Sequence, residues 1–518
     1  MKNGATIGSI DLALERAYVW HEHAPSEIAP IPDAEKAAEM EARYQMLERI
    51  ADYDDHLMEE LLSDVAPPLD EIFGDLGKEL RAGQICPVFI GSAEHGNGVG
   101  RLLKALRHEA PGLAETQERL GLSSNGDAVV QVMKTIHTPH GGKLSVSRVL
   151  SGKVVDGATL YASDGASDRV SGIYRLLGKD QQKKAEAVAG ETVALGKIEP
   201  AQTGMTLTSH KGGRPALAEI VPPSPVMGFA IASLDHKDDV KLSAAITKIT
   251  EEDPSLQIRQ DQDTGETLLE GQGEMHLRVA LERLEHKFGI KVKASPGNIP
   301  YKESAHGHAA VRGRHKKQSG GHGQFGDVAL EVTAGERGSG FVFVDKITGG
   351  VVPRQYIPAV EEGVREFLAK GLHGFPVVDL QVSLTDGSYH TVDSSDMAFK
   401  TAAQIGMREA MAKLHSVLLE PILRVSITTP SDATARINQI VSGRRGQLLG
   451  YDGRPGWSGW DVVEALIPQA EMEHLIIDIR SATQGVGSFT QTFDNLAEVA
   501  GHLAQKVLER AKAAQTAA

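Results

Sequence analysis

The order of elements read over residues 226–295 recurs over residues 416–515, and this repeat limits the fold more than any bulk property does. In the first copy, residues 227–233 read as a strand. A helix carrying Leu242, Ile246 and Ile249 follows, and then a hairpin turning at Asp263-Thr264-Gly265. A second helix sets Leu277, Leu281, Leu284 and Phe288 on one face and stops at Gly289, a residue suited to the left-handed end of a helix. Residues 290–293 return as a strand. The second copy runs through a strand at 422–428, a helix at 433–442, a Gly-rich hairpin, the stretch 471–483, a strand at 488–493 and a C-terminal helix. A βαββαβ order predicts a ferredoxin-like fold at both places.

The segments around these copies differ in character. Residues 127–210 hold short β-rich runs between turn signals such as Gly141-Gly142, Asp156-Gly157 and Ala189-Gly190, which predicts a β-barrel. Pro222-Pro223-Ser224-Pro225 reads as a linker. Residues 1–80 read as helices: Ala37, Met40, Tyr44, Leu47 and Ile50 fall at helical spacing, with acids opposite. Residues 84–90 read as a short buried strand, and a helix follows over 99–108. Residues 296–415 hold strands, then a helix over 355–370 with Ile357, Val360, Val364, Phe367 and Leu368 on one face and Gly371 after it.

At 518 residues, three to five domains are expected. No run of about 18 apolar residues predicts a membrane span, and the first residues lack the apolar core of a signal peptide. The single cysteine, Cys86, excludes a disulfide framework. Its place in an apolar run predicts a buried core thiol, and a cytoplasmic protein. The net charge of −15 argues against an RNA partner until it is located. Residues 1–80 hold 19 Asp/Glu against 6 Lys/Arg, and the rest holds 50 acids and 48 bases. The acidity is local, so the remainder can carry patches that meet phosphate.

Gly321-His322-Gly323-Gln324-Phe325-Gly326 spells Gly-x-Gly-x-x-Gly. A dinucleotide site needs a strand before it and a helix after it. Here a basic segment with Arg312, Arg314, Lys316 and Lys317 precedes it and a strand pattern follows. The glycines instead predict a thin loop that can approach a partner closely, with cationic charge suited to a phosphate backbone. The polar loop DGSYHTVDSSDMAFK, residues 386–400, suits the same partner, because the imidazole of His390 can donate, accept and stack on bases. Asp393, Ser394 and Ser395 beside it suggest a triad, but consecutive loop residues rarely give triad geometry, so no catalytic residue is assigned. His306, His308, His315 and His322 lack the cysteine or paired carboxylate that completes a metal-ligand spacing, and no metal is expected.

Several motifs in order carry a resemblance. They are Ala51-Asp52-Tyr53-Asp54-Asp55, Gly91-Ser92-Ala93, Glu251-Glu252-Asp253-Pro254, Gly273-Glu274-Met275-His276-Leu277 and the segment 316–326. Gly349-Gly350-Val351-Val352-Pro353, the His390 loop, Ser442-Gly443-Arg444-Arg445-Gly446-Gln447 and Thr483-Gln484-Gly485 follow. Together they resemble bacterial elongation factor G, from about Ile7 to about Leu508. Two positions depart from the family: His322 where arginine is common, and His390-Thr391-Val392-Asp393-Ser394-Ser395-Asp396 where His-Asp-Val-Asp-Ser-Ser-Glu is common. Both point to a divergent paralogue.

The resemblance implies a multidomain α/β and α+β protein. Its parts would be the end of a P-loop GTPase domain with an acidic helical insertion (1–124), β-barrel domain II (125–212) and ferredoxin-like domain III (222–296). An α+β domain IV (297–415, tip loops 314–326 and 386–396) and a ferredoxin-like domain V with a C-terminal helix (416–518) would follow. Lys316, Lys317, Gln318, Ser319, Gly320, Gly321, His322, Gly323, Gln324, His390, Asp393 and Ser394 would contact tRNA and rRNA. Arg444 and Arg445 would meet the RNA of the GTPase-activating centre, although two arginines at a helix end also suit the helix dipole. Gly91, Ser92 and Ala93 resemble the last guanine-nucleotide motif. The Gly-x-x-x-x-Gly-Lys-Ser/Thr loop and the Asn-Lys-x-Asp motif are absent from these 518 residues, so no useful GTP binding by this polypeptide alone is expected. GTP and Mg²⁺ are cofactors of the full-length family. The expectation is a ribosome-binding portion, from a gene fragment or a misplaced start, with both ribosomal subunits, tRNA and mRNA as partners, no membrane, and a monomeric state. A ribosome-recycling GTPase paralogue and a GTP-independent ribosome-binding protein remain as alternatives. The broken GTPase sheet is expected to expose an edge that lowers solubility.

Overall fold

The structure, a computed structural model, describes residues 6–123, 126–138, 142–178, 180–214, 216–217, 221–318 and 323–517. It divides into two units, residues 1–133 with 145–218 and residues 134–144 with 219–518.

The first unit opens with a correction. Residues 1–80 are not all helical: β1 (Gly8–Asp11), β2 (Arg16–His21) and β3 (Ala24–Ala29) form an antiparallel sheet, with Ile10 opposite Ala17 and Tyr18 opposite Ile28. The sequence Arg-Ala-Tyr-Val-Trp-His is rich in aromatic and branched side chains that favour a pleated surface. Glu15 and His23, both at φ 51°, turn the chain between strands. Three helices follow: α1 (Lys36–Ala51), α2 (Asp55–Leu62) and α3 (Leu69–Ala82). Leu47, Ile50, Leu57 and Ile72 form their common core. Asp54 caps α2 by accepting from the amides of His56 and Leu57, and Gly83 in the left-handed region ends α3.

The run at residues 85–90 is a second correction. It makes no strand pairing among the described residues. Without a ladder its side chains stay in water, Val88 at 86% exposure and Ile90 at 65%. The thiol of Cys86 is exposed, not buried in a core. Helix α4 (Val99–Glu109) buries only Ala105, and Leu102, Leu103 and Leu106 face outward. In native buffer Cys86 should therefore take up one equivalent of a thiol-reactive dye without denaturant. Protection of the thiol until the protein is unfolded would contradict the exposed placement.

Among the described residues, the β-barrel domain has eight strands in one sheet around Val130, Val132, Val149, Leu160, Ile173 and Leu195.

The second unit contains both predicted ferredoxin-like domains. In the first, the strands Gln257–Gln260, Thr267–Gly271, Met227–Ser233 and Val292–Pro296 lie side by side in that order. The helices Asp239–Glu252 and Glu274–Phe288 connect them through a core that includes Leu242, Ile246, Ile249, Leu277 and Leu284. Gly289 at φ 69° closes the second helix. In the second, the long strand His415–Pro430 pairs with Trp460–Pro468 and Ser488–Glu498, and its opening residues pair with Lys302–His306. Between these lies a four-stranded sheet in the order His308–Lys317, Gln324–Ala334, Leu380–Ser388, Phe341–Asp345. The helices Ile357–Lys370 and Asp396–Lys413 bury Val360, Val364, Phe399, Met407 and Met411 in its core. No helix among the described residues is long and apolar enough to cross a membrane.

Candidate nucleic-acid interface

Two loops singled out in the sequence meet at one end of this sheet. The strands His308–Lys317 and Gln324–Ala334 form an antiparallel hairpin in which Lys317 faces Gln324 and Lys316 faces Phe325. The second loop, residues 389–395, leaves the strand Leu380–Ser388 and enters the helix Asp396–Lys413. Ser395 caps that helix by accepting from the amide of Ala398. The polarity switch at residues 386–396 therefore marks a strand-to-helix crossing.

Asp393 clamps one loop to the other. The Gly323 amide donates to its Oδ1 at 3.0 Å, and the Phe325 amide donates to its backbone carbonyl at 2.8 Å. The Ser394 hydroxyl donates to the Phe325 carbonyl at 2.9 Å and accepts from the His390 amide at 2.9 Å. Both hydroxyls of the Ser394-Ser395 pair are thus occupied by the backbone. Two glycines of the sequence motif have internal reasons. A Cβ on Gly326 would stand 2.4 Å from the Ala398 carbonyl oxygen, and one on Gly323 would stand 2.8 Å from the Asp393 carboxyl carbon. They allow the hairpin to lie against the second loop and its helix.

His390 Nδ1 lies 3.4 and 3.2 Å from the amides of Val392 and Asp393, and 3.2 Å from Asp393 Oδ2. These contacts tie the Nδ1 edge of the ring to its own loop. The His390 ring also stands edge-on to Phe325 at 6.5 Å. Lys316, Lys317, Gln318 and Gln324 are exposed; Gln324 Oε1 lies 2.9 Å from His315 Nε2. The two lysines make no ion pair among the described residues. Ser319, Gly320, Gly321 and His322 lie outside the described residues.

The arginines behind the loops behave differently from the lysines. Arg314 stands directly across the ladder from Asp327, and Arg312 lies two residues along on the same face. Arg312 and Arg314 both donate to Asp327, as does the Ser388 hydroxyl at 2.7 Å. Asp327 is completely covered by these partners. Burial works against its charge, but the bonds from Arg312, Ser388 and Arg314 outweigh that and hold the carboxyl down at about 2. Much of the positive charge of Arg312 and Arg314 is therefore balanced internally. Asp327 and Ser388 escaped the sequence reading, although counting back equally from the turn pairs residue 314 with 327. The contribution of this carboxylate, about 1–2 kcal/mol after allowing for the half-exposed arginines, is present above its unfolded value of 3.8 and lost as pH falls towards 2. Asp327→Asn should flatten that part of the acid-unfolding curve, and an unchanged curve would contradict the assignment.

Arg444 and Arg445 stay partly exposed, but both are committed to partners within the domain. Arg445 Nη1 and Nη2 donate to Glu420 at 2.6 and 3.0 Å, and its Nε donates to Glu471 at 2.8 Å. Arg444 donates to the Glu473 carbonyl at 2.8 Å and to Asp478. Gly91, Ser92 and Ala93 begin a tight loop in which the Ser92 amide donates to the Asn97 carbonyl at 2.9 Å. The histidines of the loose cluster go to separate partners: His306 to Glu498, His308 to Thr333 and His315 to Gln324.

Family models agree with this layout. They match as elongation factor G domain 2 over residues 127–210, domain III over 222–296, domain IV over 297–414 and the elongation factor G C-terminus over 417–507. An elongation factor G-like protein of Synechocystis sp. is 48% identical over 494 residues, covering 95% of this chain and 73% of that protein. Elongation factor G of Dehalococcoides mccartyi is 34% identical over 503 residues, covering 94% and 72%. A crystal structure of a Thermus thermophilus protein superimposes with a TM-score of 0.76 at 33% identity, covering 99% of this chain and 76% of that one. The domain set is that of a translation factor. The chain belongs to the elongation factor G family.

Proposed function

We propose that this chain engages the ribosome as a translocation factor does, with the tip of residues 314–326 and 386–396 entering the decoding region of the small subunit to contact tRNA and mRNA. The observation that carries this reading is the Asp393 clamp. It joins two loops into one end that carries the exposed side chains of Lys316, Lys317 and His390. Two ammonium groups with no ion pair among the described residues suit phosphate, and an imidazole held through Nδ1 suits a base or ribose. Arg444 and Arg445 serve in this reading as braces of the loop that faces the large-subunit RNA. The protein works in the cytoplasm as a monomer. GTP-gated docking is the mechanism of the full-length family; no Gly-x-x-x-x-Gly-Lys-Ser/Thr loop occurs in these 518 residues to carry it.

Binding to ribosomes as a function of salt tests the tip. Lys316→Glu with Lys317→Glu should weaken binding, and the slope of log affinity against log salt should become shallower by about one per lysine. Equal affinity and an equal slope in parent and variant would sink the assignment.

A further inference from the structure

Helices α2 and α3 bring together side chains that the proposed function does not use. His56 and Glu60 stand four residues apart on one face of α2. Glu71 lies in the first turn of α3, and its Oε1 is 2.8 Å from His56 Nδ1. One donor atom from each of the three residues lies within 4.8 Å of the other two. Glu60 Oε2 is buried and has no hydrogen-bond partner among the described residues. Asp75, four residues beyond Glu71, is only 9% exposed, is within electrostatic reach of His56 and Glu71, and leaves Oδ2 without a partner. The neighbouring cation, Lys78, is already paired with Asp54 at 3.3 Å, and Asp54 itself is committed to capping α2. Buried carboxylate oxygens without partners are costly, and a cation is the ligand that satisfies them.

We propose that His56, Glu60 and Glu71 form a site for one divalent transition-metal cation of the zinc class, with Asp75 as its buried counter-charge. An imidazole and two carboxylates give one nitrogen and two oxygen donors. That set suits zinc and its neighbours and disfavours magnesium and calcium, which prefer oxygen alone. Three protein donors leave a further position for water. A tetrahedral site separates its donors by about 3.3 Å, which the present grouping reaches by rotating side chains, because His56 is largely exposed. Bound metal would tie α2 to α3, so binding adds directly to the stability of this helical segment.

Zinc(II) titrated against a competing chromophoric chelator tests the site, in a Cys86→Ser background that removes the thiol as a ligand. The parent should bind one zinc(II), and both His56→Gln and Glu60→Gln should weaken it about tenfold or more. Zinc(II) should raise the melting temperature of the parent, and magnesium(II) at the same concentration should not. His56→Gln changes an exposed side chain, so its fold should hold, as circular dichroism will report. Equal zinc(II) affinity in the parent and His56→Gln would overturn the proposal, as would a parent chain that binds no zinc(II) at micromolar concentration.

Discussion

Arg445→Ala should lower the unfolding free energy of the C-terminal domain by about 3 kcal/mol or more. The reason lies in its partner. The Glu420 side chain is 3% exposed, and both of its oxygens accept from Arg445. The Glu420 bonds, with those to Glu471, raise the guanidinium further above its already high value. Removing the arginine leaves a carboxylate buried without a cation, which costs far more than a surface pair is worth. Glu420→Gln in the same chain should restore much of the loss, because a neutral amide needs no counter-charge. Trp457 and Trp460 make edge-to-face contact at 5.2 Å in this domain and report its unfolding in urea. A loss below about 0.5 kcal/mol would mean that Arg445 stands clear of Glu420 and is available to an outside partner.

Glu79→Leu should stabilise the protein, and by an amount that grows with pH. Glu79 is 1% exposed, and neither carboxylate oxygen has a hydrogen-bond partner among the described residues. Burial, assisted by the Asp75 carboxylate, pushes its carboxyl up to about 7 from 4.5. Below 4.5 the folded and unfolded chains both hold the proton, and the group has no pH-dependent effect. Between 4.5 and about 7 the unfolded chain releases the proton while the folded chain keeps it, so stability falls as pH rises. The penalty is complete above about 7 and amounts to about 2–3 kcal/mol. Melts of parent and Glu79→Leu in chelator-treated buffer should diverge from pH 5 to pH 8. Parallel curves would show that Glu79 is solvated.

The helical segments were legible wherever apolar spacing met a stop signal. Leu277, Leu281, Leu284 and Phe288 ending at Gly289 is the clearest case, and both βαββαβ domains followed from such pieces. Residues 8–29 were not legible, because three short strands with half-buried faces leave little alternation between an acidic background and a turn. Apolar character alone misplaced Cys86, since a run becomes a buried strand only when another strand offers it a ladder. At the tip, composition located both loops, but charge counting overstated what Arg312 and Arg314 present. Asp327 cancels much of their charge from the opposite strand, and that pairing depends on register. The role of Asp393 was hidden for a similar reason: its partners, Gly323 and Phe325, are about 70 residues away in the chain. His56, Glu60 and Glu71 come together only when α2 packs on α3, and no spacing of three residues in one helix announces them.

In the function proposed above, the clamped tip meets the small-subunit RNA where codons are read. The most direct measurement tethers an iron chelate to the single thiol of a His390→Cys variant made in the Cys86→Ser background, binds that protein to ribosomes, and maps the hydroxyl-radical cuts in the RNA. Cuts should cluster in the decoding region of the small subunit and weaken with Lys316→Glu and Lys317→Glu together. Cuts confined to the large subunit, or no cuts above those of a Cys86→Ser chain with no thiol, would contradict it.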